Sequence, residues 1–238
     1  MNHAKKNCLL CGSDQFKTIY QGCMADIPTT DKYTITEASI KKPEHLLRCQ
    51  QCGLTFVPQT SNQHNLEAHY IDMVDEQYLD EEISRRETSQ KVLKRIQKFK
   101  KTGRLLEVGC ATGFFLDEAK KNGWDVCGIE PSKWAADYAA QTFNLKVTQS
   151  LLNNTEETNN SFDVIVMLDV IEHLTNPARE LQALRQMLKN DGILYISTPN
   201  ISSFTSKLLK SRWWGINQYH LFCFSKKTLS KLLKRVHI

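Results

Sequence analysis

Two cysteine pairs with the same spacing, Cys8-x2-Cys11 and Cys49-x2-Cys52, are the first residues of this 238-residue chain whose types and positions imply chemistry. A two-residue spacer lets two thiolates reach one tetrahedral ion. The glycine after each pair, Gly12 and Gly53, can adopt the positive φ that turns backbone N–H groups toward sulfur. Four thiolates close the coordination shell, so the expected ion is a structural zinc with no open position for catalysis. The other cysteines, Cys23, Cys110, Cys127 and Cys223, have no partner at ligand spacing and read as core or loop thiols.

A second group is Glu107-Val-Gly109-Cys110-Ala111-Thr112-Gly113, a turn of small residues between a strand and a helix. Small residues let a ligand touch the backbone, and a carboxylate at the strand end can accept from a ligand amine or hydroxyl. The dinucleotide fingerprint G-x-G-x-x-G does not fit, because Ala111 and Phe114 stand where it needs glycine. Glu130 ends the next strand, 21 residues beyond Gly109, where a carboxylate can hold ribose hydroxyls. Both features fit an adenosine ligand.

The third group is Asp169-x-x-Glu172-His173, after the fourth strand of the same series. One helical turn would cluster the three side chains at the ligand crevice. Asp169 with Glu172 three residues on also matches a capping box, which needs no function. A near-neutral imidazole at a crevice mouth can take a proton from a substrate hydroxyl, which makes His173 the first candidate base. The segment 211–222 is rich in aromatics and contains His220, and its Trp213, Trp214 and Tyr219 suit either a pocket or a core.

The elements that must position these groups are legible from hydrophobic period. Gln77 to Lys101 reads as a charged helix with Ile83, Val92, Leu93, Ile96 and Phe99 on its apolar face. Strands at Arg104 to Val108, Asp125 to Ile129, Leu145 to Thr148, Phe162 to Leu168 and Gly192 to Thr198 then alternate with helices at Phe114 to Asn122, Ser132 to Phe143 and Asn176 to Leu188. A polar loop, Asn153 to Ser161, precedes the fourth strand. This alternation predicts an α/β fold with a parallel sheet covered on both faces. The organisation expected is a zinc-ribbon-like module over 1–60, with β-type runs near Thr18-Ile19-Tyr20 and Leu54-Thr55-Phe56-Val57 and a turn at Pro28-Thr29-Thr30-Asp31. A connector and helix follow over 61–101, the ligand-binding α/β domain over 102–200, and a basic, aromatic lid segment over 201–238.

Residues 104 to about 200 resemble the class I S-adenosylmethionine-dependent methyltransferases. Glu107 to Gly113 is similar to their first motif, Gly128-Ile-Glu130-Pro131-Ser132 to their acidic ribose motif, and Phe162 to Leu174 to the strand and loop that follow. Leu188-Lys-Asn-Asp-Gly192 and Tyr195 to Asn200 resemble the fifth-strand segment. The nearest subgroup includes ubiquinone-biosynthesis O-methyltransferases and zinc-ribbon enzymes that modify sugars and natural products. The resemblance implies a Rossmann-like doubly wound sheet and S-adenosylmethionine as cofactor. It implies that Glu107 and the loop Gly109, Cys110, Ala111, Thr112 and Gly113 hold the methionine part. Glu130, with Pro131 and Ser132, would hold the ribose, Gln149 and Ser150 would lie near adenine, and Asp169 joins the cofactor residues. Ala111 stands where the family has glycine. The ubiquinone-type enzymes are similar at Asp169, Glu172 and His173, which raises a divalent ion held by those three. In related enzymes the stretch similar to His220-Leu-x-x-Phe-Ser lies over the substrate site, which implies that Trp213, Trp214, Tyr219 and His220 line the pocket and makes His220 the alternative base. The family sheet has seven strands and five are counted here, so the last antiparallel pair is expected to be missing, and a bare sheet edge would favour a truncated or self-associating chain.

Composition bounds the rest. With 41% hydrophobic and 24% charged residues the chain should fold, and no apolar run reaches the ~20 residues of a bilayer span, so no membrane partner is expected. The N-terminus lacks a signal-peptide pattern, and a cytoplasmic location is expected. Residues 201–238 carry eight Lys or Arg and no Asp or Glu, against 23 basic and 26 acidic side chains elsewhere. That tail is a solvated helix face or a positive wall beside an anionic substrate. Between the cysteine pairs, basic and acidic residues balance, so nucleic-acid binding is not expected of the ribbon. The function expected is methyl transfer to a small-molecule acceptor, at oxygen ahead of nitrogen or carbon. The alternatives are an RNA methyltransferase docked by its ribbon and a non-catalytic homologue.

Overall fold

The computed structural model describes residues 7–21, 43, 45–58, 66–152 and 159–238. Cys23, the turn at 28–31 and most of the 153–161 loop lie outside the described residues. The N-terminal part forms β1 (Phe16–Gln21), β2 (His45–Cys49) and β3 (Thr55–Phe56), a small antiparallel sheet. The segment read as a connector with one long helix is three helices, α1 (Leu66–Ile71), α2 (Gln77–Asp80) and α3 (Glu82–Ile96). The helix expected to reach Lys101 stops at Ile96. Phe99, expected on its buried face, is 77% exposed and Ile83 78% exposed, because only Val92, Leu93 and Ile96 meet the sheet-side core.

From residue 104 the expected alternation is observed: β4 (Arg104–Val108), α4 (Phe114–Lys121), β5 (Asp125–Glu130), α5 (Lys133–Phe143), β6 (Lys146–Gln149), β7 (Phe162–Leu168), α6 (Pro177–Met187) and β8 (Leu188–Ser197). The five strands form one parallel sheet in the order β6-β5-β4-β7-β8. The strand period of two divides their side chains between two cores. Leu105, Val164 and Val166 pack on one face, and Leu106, Val108, Ile165 and Met167 on the other. β7 is buried from Val164 through Met167, as a central parallel strand covered on both faces must be. Ser132 caps α5 by accepting from the Ala135 N–H at 3.1 Å. Asn176 caps α6 in the same way, with Pro177 in the first turn.

After β8 come α7 (Phe204–Leu209), a 3-10 turn, β9 (Phe222–Cys223) and α8 (Lys226–Arg235). β9 does not extend the parallel sheet. It pairs antiparallel with β3, so the tail supplies the fourth strand of the cysteine-bearing sheet. That sheet is part of the main core: Cys8, Cys49, Cys52 and Leu54 pack in the same cluster as Leu106, Val108, Ile171 and Phe222.

Candidate active site and cysteine cluster

The turn after β4 is shaped by contacts to β5 and to the loop after β7. Gly109 has φ +67°, and a Cβ there would meet Val170 Cγ2 at 2.6 Å, so glycine lets the two loops close together. Ala111 adopts φ +46°, a left-handed conformation that costs about 1 kcal/mol for a residue with a Cβ. Glu130 offsets that strain. Its Oε2 accepts from the Ala111 N–H at 2.8 Å and its Oε1 from the Ser132 N–H at 2.9 Å. Burial pushes the Glu130 carboxyl up to about 7, although these two amides pull it down. Glu107 lies beside it at the end of β4, and burial, then the Glu130 charge, raises its carboxyl well above the usual range. Glu107 Oε2 has no hydrogen-bond partner, which suits a ligand donor.

Glu107, Gly109, Cys110, Ala111, Glu130, Pro131, Ser150 and Asp169 line a cavity of about 670 Å³. Thr112, Gly113, Ser132 and Gln149 do not. Thr112 is fully buried, Gly113 opens α4, Ser132 caps α5 and Gln149 is an exposed residue of β6. The far end of the same cavity is lined by Glu172, His173, Asn217, Tyr219 and His220, with exposed Trp214 at its rim.

Asp169 is not the N-cap that the sequence suggests. It has φ +54°, its carboxylate accepts from the Ser197 hydroxyl at 3.2 Å, and the next helix starts only at Pro177. Residues 169–173 therefore form a loop, and the group drawn together is Glu172, His173 and His220, whose ligand atoms lie within 4.8 Å of one another. Both Glu172 oxygens are buried without a hydrogen bond. Burial pushes this carboxyl up to about 8, with the Asp169 charge adding to it and the nearby Thr198 hydroxyl opposing it. His173 Nδ1 lies 2.7 Å from the Tyr70 hydroxyl and 3.0 Å from the Tyr219 carbonyl. Burial, then His220, lowers its pKa to about 3, so the ring stays neutral. His220 Nδ1 is 2.9 Å from the Gly215 carbonyl. A carbonyl only accepts, so this nitrogen carries the proton and Nε2 keeps a lone pair.

The 66–96 segment, which carried no site signal, supplies one wall through Tyr70, Tyr78 and Arg85. Arg85 Cζ sits 3.6 Å over the Tyr78 ring, and its Nη2 bonds Glu81 at 2.7 Å. Arg85 is the one Lys or Arg among the described residues lining the cavity, and its Nε is buried without a partner. The basic tail contributes none, so the positive wall expected from 201–238 is not at this site.

The four cysteines of the two knuckles also converge, with all four sulfurs within 4.8 Å. Cys8 and Cys52 sulfurs are 3.5 Å apart, as are those of Cys11 and Cys49, near the roughly 3.8 Å expected around one zinc with 2.3 Å bonds. Gly12 and Gly53, at φ +77° and +82°, close each knuckle onto the carbonyls of Cys8 and Cys49. The Leu54 N–H donates to Cys52 Sγ at 3.5 Å. This donor set fits a tetrathiolate metal.

A parallel sheet whose small-residue turn and acidic strand end face one cavity is the arrangement of adenosine-binding Rossmann-like folds, and comparison with known proteins narrows it to the class I S-adenosylmethionine-dependent methyltransferases. A family described as a methyltransferase domain matches residues 79–236, and the chain belongs to that family. Ubiquinone biosynthesis O-methyltransferases from Cereibacter sphaeroides and Haemophilus ducreyi are 31% and 30% identical over 121 and 107 residues. These matches cover 46% and 41% of this chain, so the chain spans about half the length (47% and 45%) of these curated relatives. Among solved structures, a SAM-dependent methyltransferase from Archaeoglobus fulgidus superposes with TM-score 0.56 at 23% identity, over 68% of this chain and 74% of that one. One from Thermotoga maritima gives 0.52 at 24% identity, over 62% and 70%. These two establish the fold. No helix among the described residues is long and apolar enough to cross a membrane.

Proposed function

We propose that this methyltransferase acts on a hydroxyl oxygen of an uncharged small molecule, with His220 as the base. The observation that carries the reading is one cavity with unpartnered carboxylate oxygens at both ends, Glu107 at the cofactor end and Glu172 beside two histidines at the acceptor end. The names of the O-methyltransferase relatives support oxygen as the target. S-adenosylmethionine supplies the activated methyl group when bound. Glu130 holds the turn and offers its remaining lone pairs to ribose hydroxyls, Glu107 Oε2 receives an ammonium, and Ser150 borders the base. His220 Nε2 accepts the acceptor's proton, in place of the neutral, low-pKa His173, which orients the site with Tyr70. Residues 1–60 with β9 form the zinc-holding part, 102–200 the cofactor domain and 201–225 the acceptor wall. An anionic or RNA acceptor is disfavoured, because among the described residues Arg85 is the one Lys or Arg in the lining.

The first test is titration with S-adenosylhomocysteine by calorimetry, followed by a screen of hydroxylated acceptors with labelled S-adenosylmethionine. Absence of saturable binding by folded protein would sink the reading. Arg85 is assigned to the cofactor carboxylate, and Arg85→Gln should weaken S-adenosylhomocysteine binding about tenfold, as loss of a charged hydrogen bond does. An unchanged affinity would remove Arg85 from the site.

The raised Glu130 carboxyl predicts a pH dependence. Between the ordinary carboxylate range and about 7 the unfolded chain gives up this proton before the folded one, so the ligand-free fold loses stability as pH rises through that window. A ligand that binds ionised Glu130 releases the proton and gains affinity over the same range. S-adenosylhomocysteine should bind about tenfold more weakly at pH 6 than at pH 8. Calorimetric heats should vary with buffer ionisation enthalpy near pH 6.5; a flat profile would show that Glu130 is already ionised.

A second reading adds a divalent ion held by Glu172, His173 and His220, in place of the Asp169, Glu172 and His173 set. The two unpartnered Glu172 oxygens favour it. Running the acceptor screen with and without magnesium, manganese or zinc decides it, since an ion requirement abolished in Glu172→Gln supports the ion and no requirement excludes it.

A further inference from the structure

The cysteine cluster and the acceptor end are joined by a short run of backbone bonds. The Cys49-x2-Cys52 knuckle closes through the Gly53 N–H on the Cys49 carbonyl and the Cys49 N–H on the Leu54 carbonyl, at 3.0 and 2.9 Å. β3 starts at the next residue. Its Thr55 and Phe56 pair with Cys223 and Phe222, and the Val57 N–H donates to the Leu221 carbonyl at 2.9 Å. From there the chain is already in the site. The Phe222 N–H donates to the Glu172 carbonyl at 3.1 Å, and His220 is the residue before Leu221. The Gly215 carbonyl accepts from the His220 ring at 2.9 Å and lies 3.7 Å from the Cys223 thiol. Leu46 of β2 packs in one buried cluster with Trp213, Ile216 and Cys223.

A two-residue strand has little stability of its own, and among the described residues β9 has β3 as its one sheet partner. β3 is as short; the knuckle anchors one end of it, and its other edge pairs with β2, which itself ends at the knuckle residue Cys49. The cofactor groups Glu107 and Glu130 stand on β4 and β5, inside the five-stranded parallel sheet.

We infer that the four-cysteine site is the anchor of the acceptor end: with metal bound it holds β3, β3 holds Leu221 and Phe222, and these position His220 and Glu172, while the cofactor end stands independently. Leu221 and Phe222 are thus positioning residues that act through their backbone. The inference rests on the reading of the cysteines as a zinc site, and it adds to that reading a role in the reaction.

The experiment is amide hydrogen exchange read by mass spectrometry on the full chain, zinc-loaded and after removal of zinc by a high-affinity chelator, with zinc content measured in both states. Exchange in peptides covering 217–224 and 169–175 should rise by about tenfold or more on zinc removal, with peptides covering 104–113 and 125–132 little changed. Val57→Pro, which deletes the N–H that bonds Leu221 and leaves every cysteine in place, should raise exchange over 217–224 with one zinc still bound per chain. A zinc-loaded protein whose 217–224 exchange ignores zinc removal overturns the coupling while leaving the metal site intact. An equal rise in all four peptides overturns it too, as the zinc would then be a staple for the whole fold. A chain that binds no zinc overturns the metal reading and the coupling together.

Discussion

Replacing His220 with alanine should lower turnover of the acceptor found by the screen by about 10²- to 10⁴-fold, the range for loss of a positioned general base. S-adenosylhomocysteine affinity should stay within about threefold of the parent, since the cofactor carboxylates lie on other elements. The reason is the tautomer: Nδ1 donates to the Gly215 carbonyl at 2.9 Å, so the lone pair of the neutral ring, the basic site, is on Nε2, and His220 lines the cavity. His173→Ala should cost less, because burial and the neighbouring His220 lower its pKa to about 3 and make it a poor proton acceptor. Steady-state kinetics on both variants separates the roles. A loss below about threefold in His220→Ala would leave proximity to the donor as the main source of rate.

Glu130→Ala carries the largest expected effect at the cofactor end. The substitution strips the partner from two backbone amides, Ala111 N–H and Ser132 N–H, and removes the acceptor offered to the ligand. It also frees a left-handed alanine from the bond that holds it at φ +46°. Loss of charged hydrogen bonds and a loosened turn should weaken S-adenosylhomocysteine about 100-fold or more. Glu130→Gln should fall between, because its amide has one acceptor oxygen for two N–H donors. Calorimetry on the three proteins tests the order, and equal affinities would move the ribose contact to another residue. Removing a buried carboxylate also relieves its desolvation, so the alanine variant should not lose stability in proportion to affinity, and thermal unfolding at pH 8 would show this.

The helix–strand alternation was legible because each element carries its own period. Arg104–Val108 and Phe162–Leu168 are strands over the residues their hydrophobicity marks, and α4, α5 and α6 end within a residue or two of expectation. The turn after β4 was readable for the same reason: Glu107 through Ala111 are contiguous, Glu130 lies one crossover away, and Glu107, Gly109, Cys110, Ala111 and Glu130 line one cavity. Two local patterns misled. The Asp169 capping signal is overridden by the loop's contacts with Ser197 and Gly109, and Phe99 keeps a helical spacing past the point where α3 has a core to face.

The end of the cavity that holds Glu172, His173 and His220 was decided by tertiary structure. His173 meets Tyr70 across 103 positions of sequence, and it meets His220 because β9 pairs with β3 beside the cysteine cluster. A two-residue strand has no period to read, and its partner is set by register and packing that no local window contains. The sequence alone therefore determined the sheet, the small-residue turn after β4 and the cysteine spacing, all written in short-range patterns. Which carboxylate and which histidines share a cavity, and that the cysteine-bearing sheet is bonded to the cavity residue Glu172 through Phe222, came only from contacts between distant segments.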